Sequence, residues 1–134
     1  MVQCSTACRL KQRTLTILLV EDEALVRMIM ADDFRDAGYD VIECSTGDEA
    51  WELLTTGVEI DLLFTDVHMP GGLDGLALAG SAREKLPDLP IIIASGLLPA
   101  SEAAAFDAFL AKPFPFEIAL HRVAGLLDHG RYEA

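Results

Sequence analysis

Short apolar runs alternate with longer amphipathic segments five times along this chain of 134 residues. The apolar runs predict strands at about residues 15–20, 40–44, 60–65, 91–94 and 109–111. Apolar residues at helical spacing predict helices at about residues 24–37, 45–57, 74–86, 100–106 and 116–127. Strands that alternate with helices in this way form a parallel sheet covered on both faces. The sequence therefore predicts an α/β fold, a doubly wound sheet of five parallel strands.

The composition is typical of one ordinary folded domain. Hydrophobic residues make up 51% of the chain and the mean hydropathy is +0.32, which argues against disorder. We expect a folded domain over residues 14–128, a flexible leader at 1–13, a short tail at 129–134 and no separate output domain. The longest apolar stretches, of five or six residues, are too short to cross a bilayer, so we expect a cytoplasmic protein without membrane contact.

Charge and cysteine content narrow the functional classes. The net charge of −12 argues against direct binding to nucleic acid, which requires a basic surface. Cys4, Cys8 and Cys44 do not look like a disulfide framework. Cys4 and Cys8 could form half of a metal site, but the sequence supplies no obvious partner ligands for them.

Polar side chains stand where four of the predicted strands end. Glu21 and Asp22 follow the first strand, Asp66 follows the third, Ser95 the fourth and Lys112 the fifth. The carboxyl ends of parallel strands meet at one edge of the sheet, and open α/β folds place their chemistry at this edge. Each residue alone has an ordinary explanation, such as a helix cap or a turn, but their order together predicts one site.

These residue types suit the transfer of a phosphoryl group to a carboxylate. Asp66 would be the nucleophile, and Glu21 and Asp22 would bind Mg²⁺ or Mn²⁺, which prefer oxygen ligands. Lys112 can pair with a phosphoryl oxygen, and the Ser95 hydroxyl can donate a hydrogen bond to another. The pattern therefore predicts a metal-dependent phosphoryl-accepting aspartate.

The chain resembles the receiver domain of response regulators in two-component signalling, and within that family the single-domain chemotaxis regulators. The resemblance covers about residues 14–127. It is carried by Val20-Glu21-Asp22-Glu23, Thr65-Asp66-Val67-His68-Met69-Pro70 with Leu73-Asp74-Gly75, Ala94-Ser95-Gly96, and Lys112-Pro113-Phe114. It implies a flavodoxin-like fold with strand order 2-1-3-4-5. It also implies a bacterial phosphorelay switch whose phosphodonor is a sensor histidine kinase or a histidine phosphotransfer protein, with an unidentified downstream protein target.

The resemblance assigns a role to each residue of the site. Asp66 would be the phosphoacceptor and a metal ligand, and Asp22 would bind the metal directly. Glu21 would act through water, and the backbone carbonyl of His68 would complete the ligands. Lys112 would contact the phosphoryl group.

Further roles concern the response to phosphorylation. Ser95 and Phe109 would be the switch residues that move inward when the phosphoryl group arrives. Members of the family promote their own phosphorylation and autodephosphorylation and are not enzymes acting on separate substrates. The side chains of His68 and Leu97 are candidates for tuning the rate of dephosphorylation.

Two departures from the family and three alternative functions remain open at this stage. The switch residue Phe109 has no hydroxyl group, so its inward position would lack a polar tip. The stretch from Ser95 to Lys112 is shorter than in most relatives, so we expect a shortened fourth helix at residues 100–106. A degenerate receiver would act as a docking module without phosphorylation. A Mg²⁺-dependent aspartyl-phosphate phosphatase would normally carry a second acid where His68 stands, and a flavodoxin-like cofactor protein would need a phosphate-binding loop where Glu21 and Asp22 stand.

Overall fold

The computed structural model describes residues 14–69, 71–96 and 106–133. The strands are β1 (Thr16–Val20), β2 (Asp40–Cys44), β3 (Leu62–Asp66), β4 (Ile91–Ser95) and β5 (Ala108–Ala111). The helices are α1 (Ala24–Asp36), α2 (Gly47–Thr55), α3 (Gly75–Lys85) and α4 (Phe116–Glu133). No helix in these described ranges is long and apolar enough to cross a membrane.

The strands form one parallel sheet in the order β2-β1-β3-β4-β5, which confirms the predicted topology. The register aligns the carboxyl ends of the strands. Asp66 at the end of β3 pairs with Ala94, and Ser95 at the end of β4 pairs with Ala111, directly before Lys112. Four strand ends therefore meet at one edge, which we call the carboxyl edge.

Successive residues of each strand point to opposite faces of the sheet, so a strand of continuous apolar residues feeds two cores. On one face Ile17 and Leu19 of β1 pack in a cluster with Phe34 of α1 and Val123 of α4. The rings of Phe34 and Phe64 meet edge to face in this cluster, 5.8 Å apart.

The other core lies between the sheet and helices α2 and α3. Leu18 of β1 and Leu63 of β3 pack there in a cluster with Leu54 of α2 and Leu78 of α3. All four side chains are almost fully buried. The described helices thus cover both faces of the sheet.

Three elements extend beyond their predicted ends. Strands β3 and β4 each include their last polar residue, Asp66 and Ser95, because the ladder continues to both of them. The final helix continues to Glu133, so most of the expected tail at residues 129–134 is helical. The sequence did not indicate this extension because the apolar spacing that marks the buried face ends at Leu127.

Three predictions fall outside the described residues. The leader at 1–13 is one of them. The others are Leu97 and nearly all of the shortened helix at residues 100–106, of which the structure describes only Phe106.

Candidate metal centre at the carboxyl edge

The fold brings the predicted polar residues together at the carboxyl edge. Glu21 follows β1 directly, Asp66 and Ser95 are the last residues of β3 and β4, and Lys112 follows β5. Glu21, Asp66 and Ser95 are 3%, 8% and 1% exposed, whereas Asp22 is exposed at the mouth of the site. Buried polar groups are costly without partners, so this arrangement requires specific interactions.

Glu21, Asp22 and Asp66 form a carboxylate cluster that fits a hard cation. One carboxylate oxygen from each residue lies within 4.8 Å of the others. Carboxylates this close repel one another strongly, particularly where burial lowers the effective dielectric constant. Mg²⁺ and Mn²⁺ take oxygen ligands of this kind and would neutralise the excess negative charge.

Lys112 bridges two of the three carboxylates. Its Nζ lies 3.1 Å from Oε1 of Glu21 and 3.1 Å from Oδ2 of Asp66. Burial alone would lower the pKa of Lys112, but the hydrogen bond to Glu21 and the negative charges of Asp66 and Glu21 raise it above its ordinary value. The ammonium group therefore stays charged at neutral pH beside the carboxylate that is expected to accept the phosphoryl group.

The backbone also holds Lys112 in place. Its amide donates to the carbonyl oxygen of Ser95 at 3.0 Å, which ties it to the end of β4.

The environment of Glu21 disfavours its ionised form. Burial raises its pKa, and the negative charge of Asp66 raises it further. The amide of Glu23, which donates to Oε2 at 3.2 Å, and the charge of Lys112 act in the opposite direction without reversing the shift. Lys112 and the amide of Glu23 thus offset only part of the cost of burying an ionised Glu21 beside Asp66.

Asp66 is held by its immediate neighbours in sequence and in space. Its Oδ1 accepts a hydrogen bond from the amide of Val67 at 2.8 Å. Its carbonyl accepts one from the hydroxyl of Thr65 at 2.8 Å. Gly75 packs so closely that a Cβ atom there would overlap the carbonyl oxygen of Asp66. The Asp66 carboxylate is therefore attached to a backbone with little freedom to shift.

The remaining predicted residues lie around this cluster in different environments. His68, two residues after Asp66, is exposed. Phe109 is half-buried and packs against the apolar core between the sheet and helices α2 and α3. The roles of both residues, and that of the buried Ser95, stay predictions.

Arg27 is a contact of the site that the sequence analysis missed. Its Nη1 donates to the carbonyl oxygen of Glu21 at 2.9 Å, and its Nε lies 3.4 Å from Oε1 of Glu43. A signal was present in the sequence, because an arginine in the first turn of a helix opposes the helix dipole. A residue placed against that preference often has another reason for its position.

Comparisons with known proteins agree with this fold. The family model of the response regulator receiver domain matches residues 17–124. A chemotaxis protein CheY homolog from Campylobacter jejuni is 30% identical over 125 residues, which cover 87% of this chain and 95% of that protein. The sensor kinase CckA of Brucella abortus is 36% identical over 119 residues, which cover 84% of this chain and 12% of that kinase.

Solved structures show the same likeness. A response regulator receiver protein from Sinorhizobium medicae is 36% identical with a TM-score of 0.79, covering 87% of this chain and 96% of that one. The response regulator TrrA of Thermotoga maritima, solved in complex with Mg²⁺ and BeF, is 30% identical with a TM-score of 0.77. That alignment covers 85% of this chain and 100% of TrrA.

The chain therefore belongs to the response regulator receiver domain family, the phosphorylation-dependent signalling switches of two-component systems. The matched proteins differ greatly in length. The chain spans 12% of the kinase CckA and 24% of the regulator NtrC of Klebsiella pneumoniae, but 95% of the CheY homolog. The activities of those longer proteins do not transfer to this chain directly.

Proposed function

We propose that this domain accepts a phosphoryl group on Asp66 from a phosphohistidine, with Mg²⁺ bound by Asp22, Asp66 and, through water, Glu21. One observation carries the proposal. A lysine ammonium group lies 3.1 Å from Asp66, in a cluster whose carboxylate oxygens lie within 4.8 Å of one another. A nucleophile, a fixed cation and a set of hard ligands are the parts that phosphoryl transfer to a carboxylate requires.

In the proposed reaction a carboxylate oxygen of Asp66 attacks phosphorus in line with the leaving imidazole of the donor. The new phosphorus–oxygen bond forms as the phosphorus–nitrogen bond breaks, and the imidazole departs with the electron pair and takes up a proton. A bound Mg²⁺ supplies neutralisation of charge on the phosphoryl oxygens. Lys112 is already within contact distance of Asp66 and would follow the phosphoryl group as its charge arrives.

Phosphorylation would then change the surface of the domain. Ser95, at the end of β4, would donate its hydroxyl to the phosphoryl group, and Phe109 on neighbouring β5 would turn inward. His68, exposed at the mouth of the site, and Leu97 would set how fast water removes the group in autodephosphorylation. The backbone carbonyl of His68 would complete the metal ligands.

The phosphodonor is proposed to be a sensor histidine kinase or a histidine phosphotransfer protein that approaches along α1. Leu25, Met28 and Ile29 of α1 are 70%, 54% and 53% exposed, which is unusual for large apolar side chains grouped on one helix. A groove of about 350 Å³ runs from Glu21, Asp66 and Lys112 past Ile29 of this helix. Apolar surface next to the site suits a protein partner, so the signal would pass through protein–protein contacts in the cytoplasm.

The proposal is tested by the intact mass of the protein after incubation with Mg²⁺ and acetyl phosphate. We expect one acid-stable, base-labile phosphoryl adduct on the wild type and none on Asp66→Asn, because the amide is not a nucleophile for phosphorus. Asp61→Asn is a matched control, since it makes the same substitution at the other end of β3, directly before its first residue. This variant should be phosphorylated normally.

Two results would contradict the proposal. An adduct on Asp66→Asn would place the phosphoryl group on another residue. A wild type that forms no adduct and binds no beryllofluoride would be a receiver that acts as a docking module without phosphorylation.

A further inference from the structure

Arg27 joins the metal centre to the neighbouring strand β2. Its guanidinium donates to the carbonyl oxygen of Glu21 at 2.9 Å through Nη1 and pairs with Glu43 of β2 at 3.4 Å through Nε. The Arg27 side chain is 18% exposed and that of Glu43 is 27% exposed. Both ends of the guanidinium are thus engaged in a largely shielded position, which restricts the loop between β1 and α1.

Helix geometry explains why a side chain of α1 can reach this loop. The Cα–Cβ bonds of a helix tilt toward its N-terminus, so a side chain in the first turn covers the residues that precede the helix. The loop Glu21–Asp22–Glu23 lies there, between β1 and the first residue of α1. Arginine carries a planar fork of five N–H donors, which can hold a carboxylate and a carbonyl oxygen at once.

We infer that Arg27 is a positioning residue for the metal centre: by fixing the backbone of Glu21, it holds the carboxylates of Glu21 and Asp22 in the arrangement that binds Mg²⁺. The inference rests on the proposed function, since it concerns the same metal site. Removing a group that contacts a metal ligand and holds it in place commonly weakens metal binding by about 10- to 100-fold. Arg27 is placed to act in this way through a main-chain carbonyl rather than through a ligand side chain.

The positioning role and the charge of Arg27 have opposite effects on Mg²⁺ binding. A cation close to the carboxylate cluster repels Mg²⁺, so on charge alone its removal would strengthen metal binding. Loss of positioning would weaken binding, because the loop would no longer be held in the binding geometry. The direction of the change in affinity therefore separates the two roles.

Arg35 provides a matched control for the charge and the ion pair. Its Nη2 lies 3.2 Å from Oε2 of the same Glu43 and donates to the carbonyl oxygen of Val41 at 3.0 Å. Its Nη1 pairs with Asp32 at 3.6 Å. These contacts hold β2 and α1 rather than the loop at Glu21, so Arg35 shares the partner and the charge of Arg27 but not its position.

The experiment is a calorimetric titration of Mg²⁺ into metal-free wild type, Arg27→Met, Arg27→Lys and Arg35→Met, with urea unfolding of each protein alongside. We expect the dissociation constant to rise about tenfold in Arg27→Met, near the low end for such residues because the lost charge partly offsets the effect. Arg27→Lys keeps the charge but not the fork, so its affinity should also fall. Arg35→Met should bind Mg²⁺ within about twofold of the wild type.

Unchanged or tighter Mg²⁺ binding in Arg27→Met would overturn the inference, even if the variant were less stable to urea, because Arg27 would then serve stability only. If Arg27→Met fails to fold, Arg27→Lys decides the question, since wild-type affinity in that variant would exclude a need for the fork. A wild type that binds no Mg²⁺ would overturn the proposed metal site as well. If Asp22→Ala, titrated beside these proteins, loses Mg²⁺ affinity while both Arg27 variants keep it, only the role of Arg27 is overturned.

Discussion

Acidic side chains stand both at the carboxyl edge and at the opposite ends of the strands, which we call the amino edge. Their carboxylates find different kinds of partner at the two places. At the amino edge, Asp61 accepts a hydrogen bond from the amide of Thr16 at 2.8 Å, and its own amide donates to the carbonyl of Thr16 at 2.8 Å. At the carboxyl edge, Glu21 and Asp66 lie close together and share the ammonium group of Lys112. Asp107 follows the first pattern, since it accepts from the amide of Ile91 at 2.8 Å and pairs with Arg83.

The difference follows from the direction of the strands. Where parallel strands begin, amide groups without a ladder partner are available to donate to a carboxylate; where the strands end, carbonyl oxygens are available instead. A carboxylate at the amino edge can therefore be satisfied by the fold itself. A cluster of carboxylates at the carboxyl edge needs positive charge, which Lys112 supplies in part, and this suits that edge to the proposed metal.

The largest expected effect of this difference is on the stability of two matched variants. Asp107→Asn should lower the free energy of unfolding by about 1–3 kcal/mol, because charge-assisted hydrogen bonds to Ile91 and Arg83 are weakened. Asp66→Asn should leave that free energy unchanged or raise it in metal-free buffer, since the repulsion with Glu21 is removed. Urea unfolding of both variants with chelator present measures the contrast. Equal destabilisation of the two would break the comparison.

Mg²⁺ should stabilise the protein through the carboxyl edge alone. A ligand that binds only the folded state at ten times its dissociation constant adds about 1.4 kcal/mol to the free energy of unfolding. We expect that increment in the wild type and in Asp61→Asn, and a much smaller one in Asp22→Ala, which lacks a proposed ligand. Thermal unfolding with and without Mg²⁺ measures it, and a full increment in Asp22→Ala would remove that residue from the ligand set.

The smallest expected effect is on the pH dependence of stability. The pKa of Glu21 is raised by burial and by Asp66, so the stability linked to its protonation is present below pH 4.5 and lost as the pH rises through the folded-state pKa. Glu21→Gln should therefore be more stable than the wild type at neutral pH without metal, and the gain should shrink on acidification.

Glu49 provides the opposite sign for this test. Its pKa is lowered because it accepts hydrogen bonds from the amide of Ser45 at 2.8 Å and from the Ser45 hydroxyl at 3.1 Å. Its contribution to stability is present above pH 4.5 and lost as the pH falls through the folded-state pKa. Glu49→Gln should thus be less stable than the wild type at neutral pH. Urea unfolding between pH 4 and pH 8 compares the two variants, and the same sign in both would contradict the assignment.

The sequence was sufficient to predict a parallel sheet and the meeting of its polar strand ends for a physical reason, whereas the strand order followed from the family resemblance. Asp66, Ser95 and Lys112 stand at the ends of apolar runs, and the parallel topology alone brings such positions together. The partners of Asp107 were not predictable. Asp107 precedes β5 and contacts the first residue of β4 and Arg83 of α3, and only the tertiary arrangement brings these three residues together. Arg27 was missed for the same reason, since its contact with Glu21 is made by a side chain that folds back along its own helix.

Substitutions at Gly75 should be poorly tolerated for a steric reason. Gly75 carries no functional group, yet the space a methyl group would need at this position is taken by the main chain of Asp66. Its amide also donates to the carbonyl of Val67 at 2.9 Å. A survey of single substitutions scored by signalling output will therefore rank Gly75 beside Asp66, and a genetic screen alone would assign chemistry to a residue whose contribution is the absence of a side chain.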